Sequence, residues 1–208
     1  MKIISIEGNI GSGKSTFVNE LKNNIENVIF IDEPVDQWNE IKDKEGKTII
    51  EKYYEDKNKY SFPFQMMAYI SRLVLFKKAI ESKKYDIIIT ERCLYTDKYV
   101  FTKMLYDEGL MNLIEYSIYN KWFKEFVEDY DIHYVYLKTS VETVNSRVLK
   151  RSREGEKIDI SYLRKCNDYH NKWLSNEKNV TIINANNEKN NKDTKKWINI
   201  VKDVINKT

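Results

Sequence analysis

The chain has 208 residues, 41% of them hydrophobic and 32% charged, with a formal net charge of +3. That length suits one α/β domain with a sizeable core, and the nearly balanced charge gives no reason to expect a nucleic-acid or membrane partner. Cys93 and Cys166 lie far apart without CxxC spacing, so neither a disulfide framework nor a zinc site is expected, and a reducing compartment such as the cytoplasm fits.

The first element is a β-branched run at residues 3–7 (IISIE). A glycine-rich loop follows at once, which leaves no room for a signal or transit peptide. A helical pattern covers residues 15–26, and a second apolar run lies at 28–32 (VIFID). Pro34 follows that run. Pro63 reads as the first turn of a helix over 62–82, where its missing N–H is harmless. A third run at 86–90 (DIIIT) leads into a long helical pattern over 97–130. The fourth run, 133–137 (HYVYL), precedes a helix over 141–151, and the fifth, 180–183 (VTII), precedes a polar loop at 184–192 and a last helix over 194–206. Nearly continuous apolar runs suit parallel strands buried on both faces. Strands alternating with helices predict a doubly wound, five-stranded parallel sheet with flanking helices, in one domain spanning 1–208. No apolar run approaches membrane-spanning length.

Four groups of residues carry chemistry. Gly8, Asn9, Ile10, Gly11, Ser12, Gly13, Lys14 and Ser15 match G-x-x-x-x-G-K-[ST], the P-loop. Its backbone N–H groups face phosphate oxygens, Lys14 brings a charge to the β- and γ-phosphates, and Ser15 offers a hydroxyl to Mg²⁺. The helix that starts near Lys14, with Thr16 in its first turn, aims its positive end at the same phosphates. Glu33, at the end of the second strand, would project into a site beside this loop and accept a proton from a hydroxyl. A surface acid ahead of a turn reads the same. Glu91, at the end of the third strand, could assist Mg²⁺ through water, and Arg92 could hold a phosphate or orient Glu33; a structural ion pair is the other reading. Arg147 and Arg151 share a helix face, and with Arg153 they form an Arg-rich lid over about 147–160, suited to charge on a transferring phosphoryl group. Gln65 offers a donor and an acceptor that could read a base edge, with aromatics around it, although aromatics at helical spacing more often form core.

Together these residues resemble the deoxyribonucleoside kinases, especially the deoxycytidine and deoxyguanosine kinase branch, over most of the chain to about Leu174. The motifs that match are the P-loop, Glu33-Pro34 with Trp38, Phe64-Gln65 with Tyr54 upstream, Glu91-Arg92, and the lid arginines with Glu156. Cys93 stands where the family has Ser, the lid is one residue short before Leu163, and the loop near Asn186 lacks the family's acidic-aromatic pair. The resemblance implies a P-loop kinase fold and ATP-dependent phosphorylation of a deoxynucleoside 5′-hydroxyl in nucleotide salvage. It implies Glu33 as general base, braced by Arg92, and Lys14 and Arg147 as further catalytic groups. Tyr54 and Glu156 would hold the 3′-hydroxyl, Gln65 would read the base, and Trp38, Phe64 and Phe101 would line its pocket. Arg147, Arg151 and Arg153 would enclose the phosphates. Arg72 and Asp97 match the charged pair of the deoxycytidine and deoxyguanosine branch, which implies preference for deoxycytidine or a purine deoxynucleoside over thymidine. Homodimers and inhibition by the end-product triphosphate are usual in the family. The competing readings are a thymidylate-type monophosphate kinase, whose Asp-Arg-Tyr motif is missing, and a non-catalytic assembly subunit, which would tend to lose Lys14, Glu33 or the lid arginines.

Overall fold

The computed structural model describes residues 1–151, 158–187 and 191–207. Five parallel strands form its sheet: β1 (Lys2–Glu7), β2 (Ile29–Ile31), β3 (Ile87–Glu91), β4 (Ile132–Lys138) and β5 (Val180–Asn184). Their order is β2-β3-β1-β4-β5. Alternation along β1 divides the core into two layers. Ile4 and Ile6 face helix α1 (Lys14–Lys22) and helix α10 (Asn191–Asn206), which supply Phe17, Leu21, Ile198 and Val201. Ile3 joins the opposite layer, where Phe76 and Ala79 of α4 (Lys57–Ser82) and Trp173 and Leu174 of α9 (Ile160–Leu174) pack. Helices on both faces explain why the strands read as continuous apolar runs.

Between β2 and α4 the chain forms α2 (Val35–Glu40) and α3 (Ile49–Glu55). Thr48 caps α3 in a reciprocal capping box with Glu51. α4 begins at Lys57 on an Asp56 cap, five residues before its apolar pattern starts, so Pro63 lies inside the helix and not at its first turn. Its missing N–H leaves one carbonyl without the usual intrahelical bond, and the exposed position accommodates its ring. The helical pattern over 97–130 is also broken. Helix α5 (Leu94–Thr96) leads into a π-helical turn (Asp97–Thr102) and α6 (Lys103–Asp107). Gly109, at φ 70, stops that stretch, and Asn112 starts α7 (Leu113–Phe126) through a capping box with Glu115. Helix α8 (Val141–Arg151) follows β4. No helix among the described residues is long and apolar enough to cross a membrane.

The parallel register sets Ile6 beside Glu91, and Glu7 beside Tyr136. The loops after β1, β2 and β3 therefore meet at the carboxyl edge of the sheet, where open α/β sheets bind ligands.

Candidate active site

The Gly8–Ser15 loop connects β1 to α1, as its motif requires. Gly13 is the N-cap of α1 at φ 96, a left-handed conformation that L side chains rarely adopt. At Gly11, φ is 79 and an added Cβ would lie 2.9 Å from the Val144 carbonyl oxygen, so α8 packs directly against the loop. Asn9 Nδ2 donates to the Leu163 carbonyl at 2.8 Å and ties the loop to α9. Lys14 Nζ donates to the Asn9 carbonyl at 2.8 Å. Burial lowers its pKa to about 7, helped by the charge of Arg92 and opposed by Glu91, Glu33 and Glu7. Incoming phosphates would favour its charged form. Ser15 Oγ donates to Glu91 Oε1 at 2.7 Å.

Glu33 stands at the end of β2, held by two arginines. Arg92 Nη1 donates to its Oε1 at 2.5 Å and Arg72 Nη2 at 3.3 Å. Burial pushes the Glu33 carboxyl up, but Arg92, then Arg72 and Lys14, outweigh it and hold the pKa at about 2. The Arg92 guanidinium also lies 5.0 Å over the Phe101 ring. Arg72, 1% exposed, crosses from α4 and donates through Nε to Asp97 Oδ2 at 2.9 Å and through Nη1 to the Glu91 carbonyl at 2.8 Å. Burial opposes its charge, yet Asp97 and Glu33 hold its pKa above the ordinary value.

Lys14, Ser15, Glu33, Glu91, Arg92 and Asp97 border one cavity of about 1070 Å³. Its P-loop end is formed by Gly11 to Thr16 with Glu91, Arg147 and Arg151. At the other end Trp38, Tyr54, Phe64, Gln65, Asp97 and Phe101 line it, with Glu33 and Arg92 also on its wall. Trp38 is fixed at both ends: its Nε1 donates to Ser71 Oγ at 2.8 Å, and its ring meets Phe64 edge-on at 5.6 Å. The Gln65 amide oxygen accepts from Thr102 Oγ1 at 3.4 Å.

Arg72 does not line the cavity; it sits behind Asp97 and Glu33 and braces both. Arg147 lines it, but its guanidinium donates to main-chain carbonyls of Ser12 at 3.3 Å, Ala185 at 3.0 Å and Asn187 at 2.8 Å. It thus joins the P-loop to the loop after β5. Arg153 and Glu156 lie outside the described residues. Several lining residues escaped the sequence, among them three on α9 and α10. Tyr162 of α9 lines the cavity and shares a hydrogen bond of 3.1 Å with Tyr53. Thr194 and Trp197 of α10 also line the cavity. Their signal is hidden in a Lys-rich helix that reads as a solvated face.

Among the described residues no group of three or more His, Cys, Asp or Glu side chains is placed to hold a metal ion. A Mg²⁺ site needs fewer, because this ion keeps waters and substrate phosphate oxygens and takes only one or two protein oxygens. The Ser15 hydroxyl and Glu91 carboxylate fit that requirement.

A P-loop beneath one end of a cavity, with an arginine-braced carboxylate between it and an aromatic chamber, defines a nucleotide-dependent phosphotransferase. The deoxynucleoside kinase family model matches residues 4–207, and the chain belongs to this family. It is 39% identical over 178 residues to a probable deoxycytidine kinase of Fowlpox virus (strain NVSL), covering 84% of this chain and 72% of that one. Deoxycytidine kinase of Homo sapiens is 33% identical over 196 residues, 84% of this chain and 75% of that protein. Mitochondrial deoxyguanosine kinase of Xenopus laevis is 29% identical over 210 residues, 91% of this chain and 78% of that protein. The enzyme is a deoxynucleoside kinase.

Proposed function

We propose that this kinase, a single domain spanning residues 1–208, transfers the γ-phosphoryl group of MgATP to the 5′-hydroxyl of deoxycytidine or a purine deoxynucleoside, in preference to thymidine. The observation that carries this reading is Glu33, held by Arg92 and Arg72 between the P-loop and the aromatic chamber. Glu33 orients the 5′-hydroxyl and takes its proton as the oxygen attacks the γ-phosphorus and ADP leaves. A carboxylate with a pKa of about 2 is a weak base. It suffices here, because phosphoryl transfer passes through a loose transition state in which positioning and electrostatics dominate. Lys14 neutralises charge on the phosphates, and Arg151, with Arg153, covers them. Ser15 and Glu91 would hold Mg²⁺, which when bound neutralises charge on the β- and γ-oxygens.

Base preference rests on Asp97. Asp97 and Gln65 both line the cavity, and Arg72 keeps the Asp97 carboxylate in place. That carboxylate suits an exocyclic amino group, which cytosine and the purines adenine and guanine carry and thymine lacks. Tyr54 and Glu156 would hold the 3′-hydroxyl. A product triphosphate would fit as an inhibitor, with its nucleoside in the aromatic chamber and its phosphates reaching the P-loop.

A homodimer is supported by one apolar surface. Ile114, Ile118, Trp122 and Phe126 recur every four residues on α7, and Ile70 and Val74 of α4 are exposed as well. Such a patch on two neighbouring helices suits an isologous interface between copies of this chain. A cytoplasmic salvage enzyme, working without nucleic acid or membrane, completes the reading.

The test is ATP-dependent phosphorylation across the natural deoxynucleosides and their monophosphates. Deoxycytidine or a purine deoxynucleoside should give the highest kcat/KM. Turnover of monophosphates alone would favour the thymidylate-type reading, and thymidine as the best substrate would refute the base preference.

A further inference from the structure

Glu7, the last residue of β1, is fully buried and does not line the cavity. A carboxylate in such a place is costly unless hydrogen-bonded. Two hydroxyls meet its Oε1: Ser5 Oγ donates at 2.6 Å and Thr96 Oγ1 at 2.7 Å. Both are themselves fully buried. Burial raises the Glu7 pKa, while Ser5, Thr96, the charge of Arg92 and the weak Cys93 thiol donor work the other way.

The Thr96 hydroxyl has a second task. It accepts from the Cys93 backbone N–H at 3.3 Å, while the Thr96 N–H donates to the Cys93 carbonyl at 3.1 Å. These bonds close the turn that follows Arg92. Arg92 occupies the left-handed region at φ 61, a strained conformation for a residue with a long side chain. Its N–H donates to the Ile6 carbonyl at 3.1 Å, and its carbonyl accepts from Thr90 Oγ1 at 2.6 Å. Its main chain is therefore held on both sides: by β1 and Thr90, and by the turn that Thr96 closes. Glu7 anchors Thr96. From this backbone the guanidinium reaches Glu33.

We propose that Glu7 is a positioning residue for phosphoryl transfer: through Thr96 it holds the strained Arg92 turn from which Arg92 grips Glu33. Glu7 also immediately precedes Gly8, so the same carboxyl joins the start of the P-loop to the Glu91-Arg92 turn. Cys93, which stands where the family has Ser, lies inside this network; because a thiol donates weakly, Ser5 and Thr96 carry the carboxyl through Oε1, while Oε2 is buried without a hydrogen-bond partner. The proposal rests on Glu33 as the group that receives the 5′-hydroxyl proton.

The test uses Thr96→Val, which keeps shape and removes both hydroxyl bonds, and Thr96→Ser, which keeps the hydroxyl. Thr96→Val should lower kcat by about tenfold or more, the cost of leaving the buried Glu7 oxygen and the Cys93 N–H short of a partner, with KM for deoxynucleoside and ATP changed by less than about threefold. Thr96→Ser should restore most of kcat. Residues that act as a unit are non-additive, so Thr96→Val should cost nothing further in a Glu33→Gln background. A Thr96→Val enzyme with lower Tm but normal kcat would overturn the proposal. So would an undiminished loss in the Glu33→Gln background, which would place the effect outside the Arg92–Glu33 pair. Should Thr96→Val fail to fold, Thr96→Ala, which cannot overpack, carries the same comparison. Normal kcat in Glu33→Gln alone would instead reject the reading of Glu33 itself.

Discussion

Replacing Arg72 and Asp97 tests base preference at its source. Arg72 is 1% exposed and makes three polar contacts, to Asp97, Glu33 and the Glu91 carbonyl. Asp97→Ala alone strands part of a buried guanidinium, and breaking a buried pair typically costs about 3–5 kcal/mol. Against a total stability of about 5–15 kcal/mol, that change should lower Tm sharply and harm every substrate. The double change Arg72→Met with Asp97→Ala removes both charges and leaves a cavity wall that accepts the thymine methyl. The proposed contact from Asp97 to an exocyclic amino group would be charge-assisted and worth about 1.5–3 kcal/mol. The kcat/KM ratio of deoxycytidine to thymidine should therefore fall by about 10- to 100-fold. The assay is steady-state phosphorylation of both nucleosides with saturating MgATP. The double variant also takes one of two arginines from Glu33, so absolute rates will drop, and the ratio is the quantity to read. An unchanged ratio would refute the reasoning.

Glu33→Gln should retain nucleoside binding by calorimetry while kcat falls by about 10²- to 10⁴-fold; near-normal kcat would remove Glu33 from its role. The same residue links stability to pH. Its folded pKa is depressed to about 2, so its stabilising contribution is complete above the ordinary carboxylate value of about 4.5 and is lost as pH falls toward 2. Wild-type Tm should decline across that window more steeply than Tm of Glu33→Gln, and parallel curves would contradict the arginine clamp. Lys14→Ala should abolish turnover, measured with MgATP in excess, while deoxynucleoside binding survives. Arg147→Ala should lower kcat more than it raises KM for ATP if this arginine leaves its carbonyl partners for the transferring phosphoryl group; a pure KM effect would mean that it serves only to anchor the loop after β5. Trp122→Glu, placed in the α7 apolar face, should convert a dimer to a monomer in sedimentation equilibrium, and an unaltered dimer would place the interface elsewhere.

Much of this enzyme is written in short windows of sequence. Each apolar run became a parallel strand; the central β1, β3 and β4 are buried on both faces, while the edge strand β5 leaves Ile182 exposed. The glycines at 11 and 13 and the lysine after them specify a phosphate loop by backbone freedom and charge, properties that need no distant partner. Helix limits were less legible where caps and apolar periodicity disagree. Asp56 starts α4 ahead of its apolar stripe, and Gly109 with Asn112 interrupts a pattern that looked unbroken.

What the tertiary structure alone decided is which local signals converge. The strand order β2-β3-β1-β4-β5 brings the ends of β1, β2 and β3 together, so Glu33 and Arg92, 59 positions apart, meet at 2.5 Å. The resemblance put Arg72 with Asp97 in the base pocket, yet packing buries Arg72 behind Asp97 while Gln65 keeps the cavity wall. Glu7 looked like the end of a strand, and Tyr162 lies in a stretch where no element was expected; neither has a local pattern to mark it. Their roles come from what lies across the sheet edge and across the cavity. A local propensity cannot encode those contacts, because they exist only once the loops between the elements have closed.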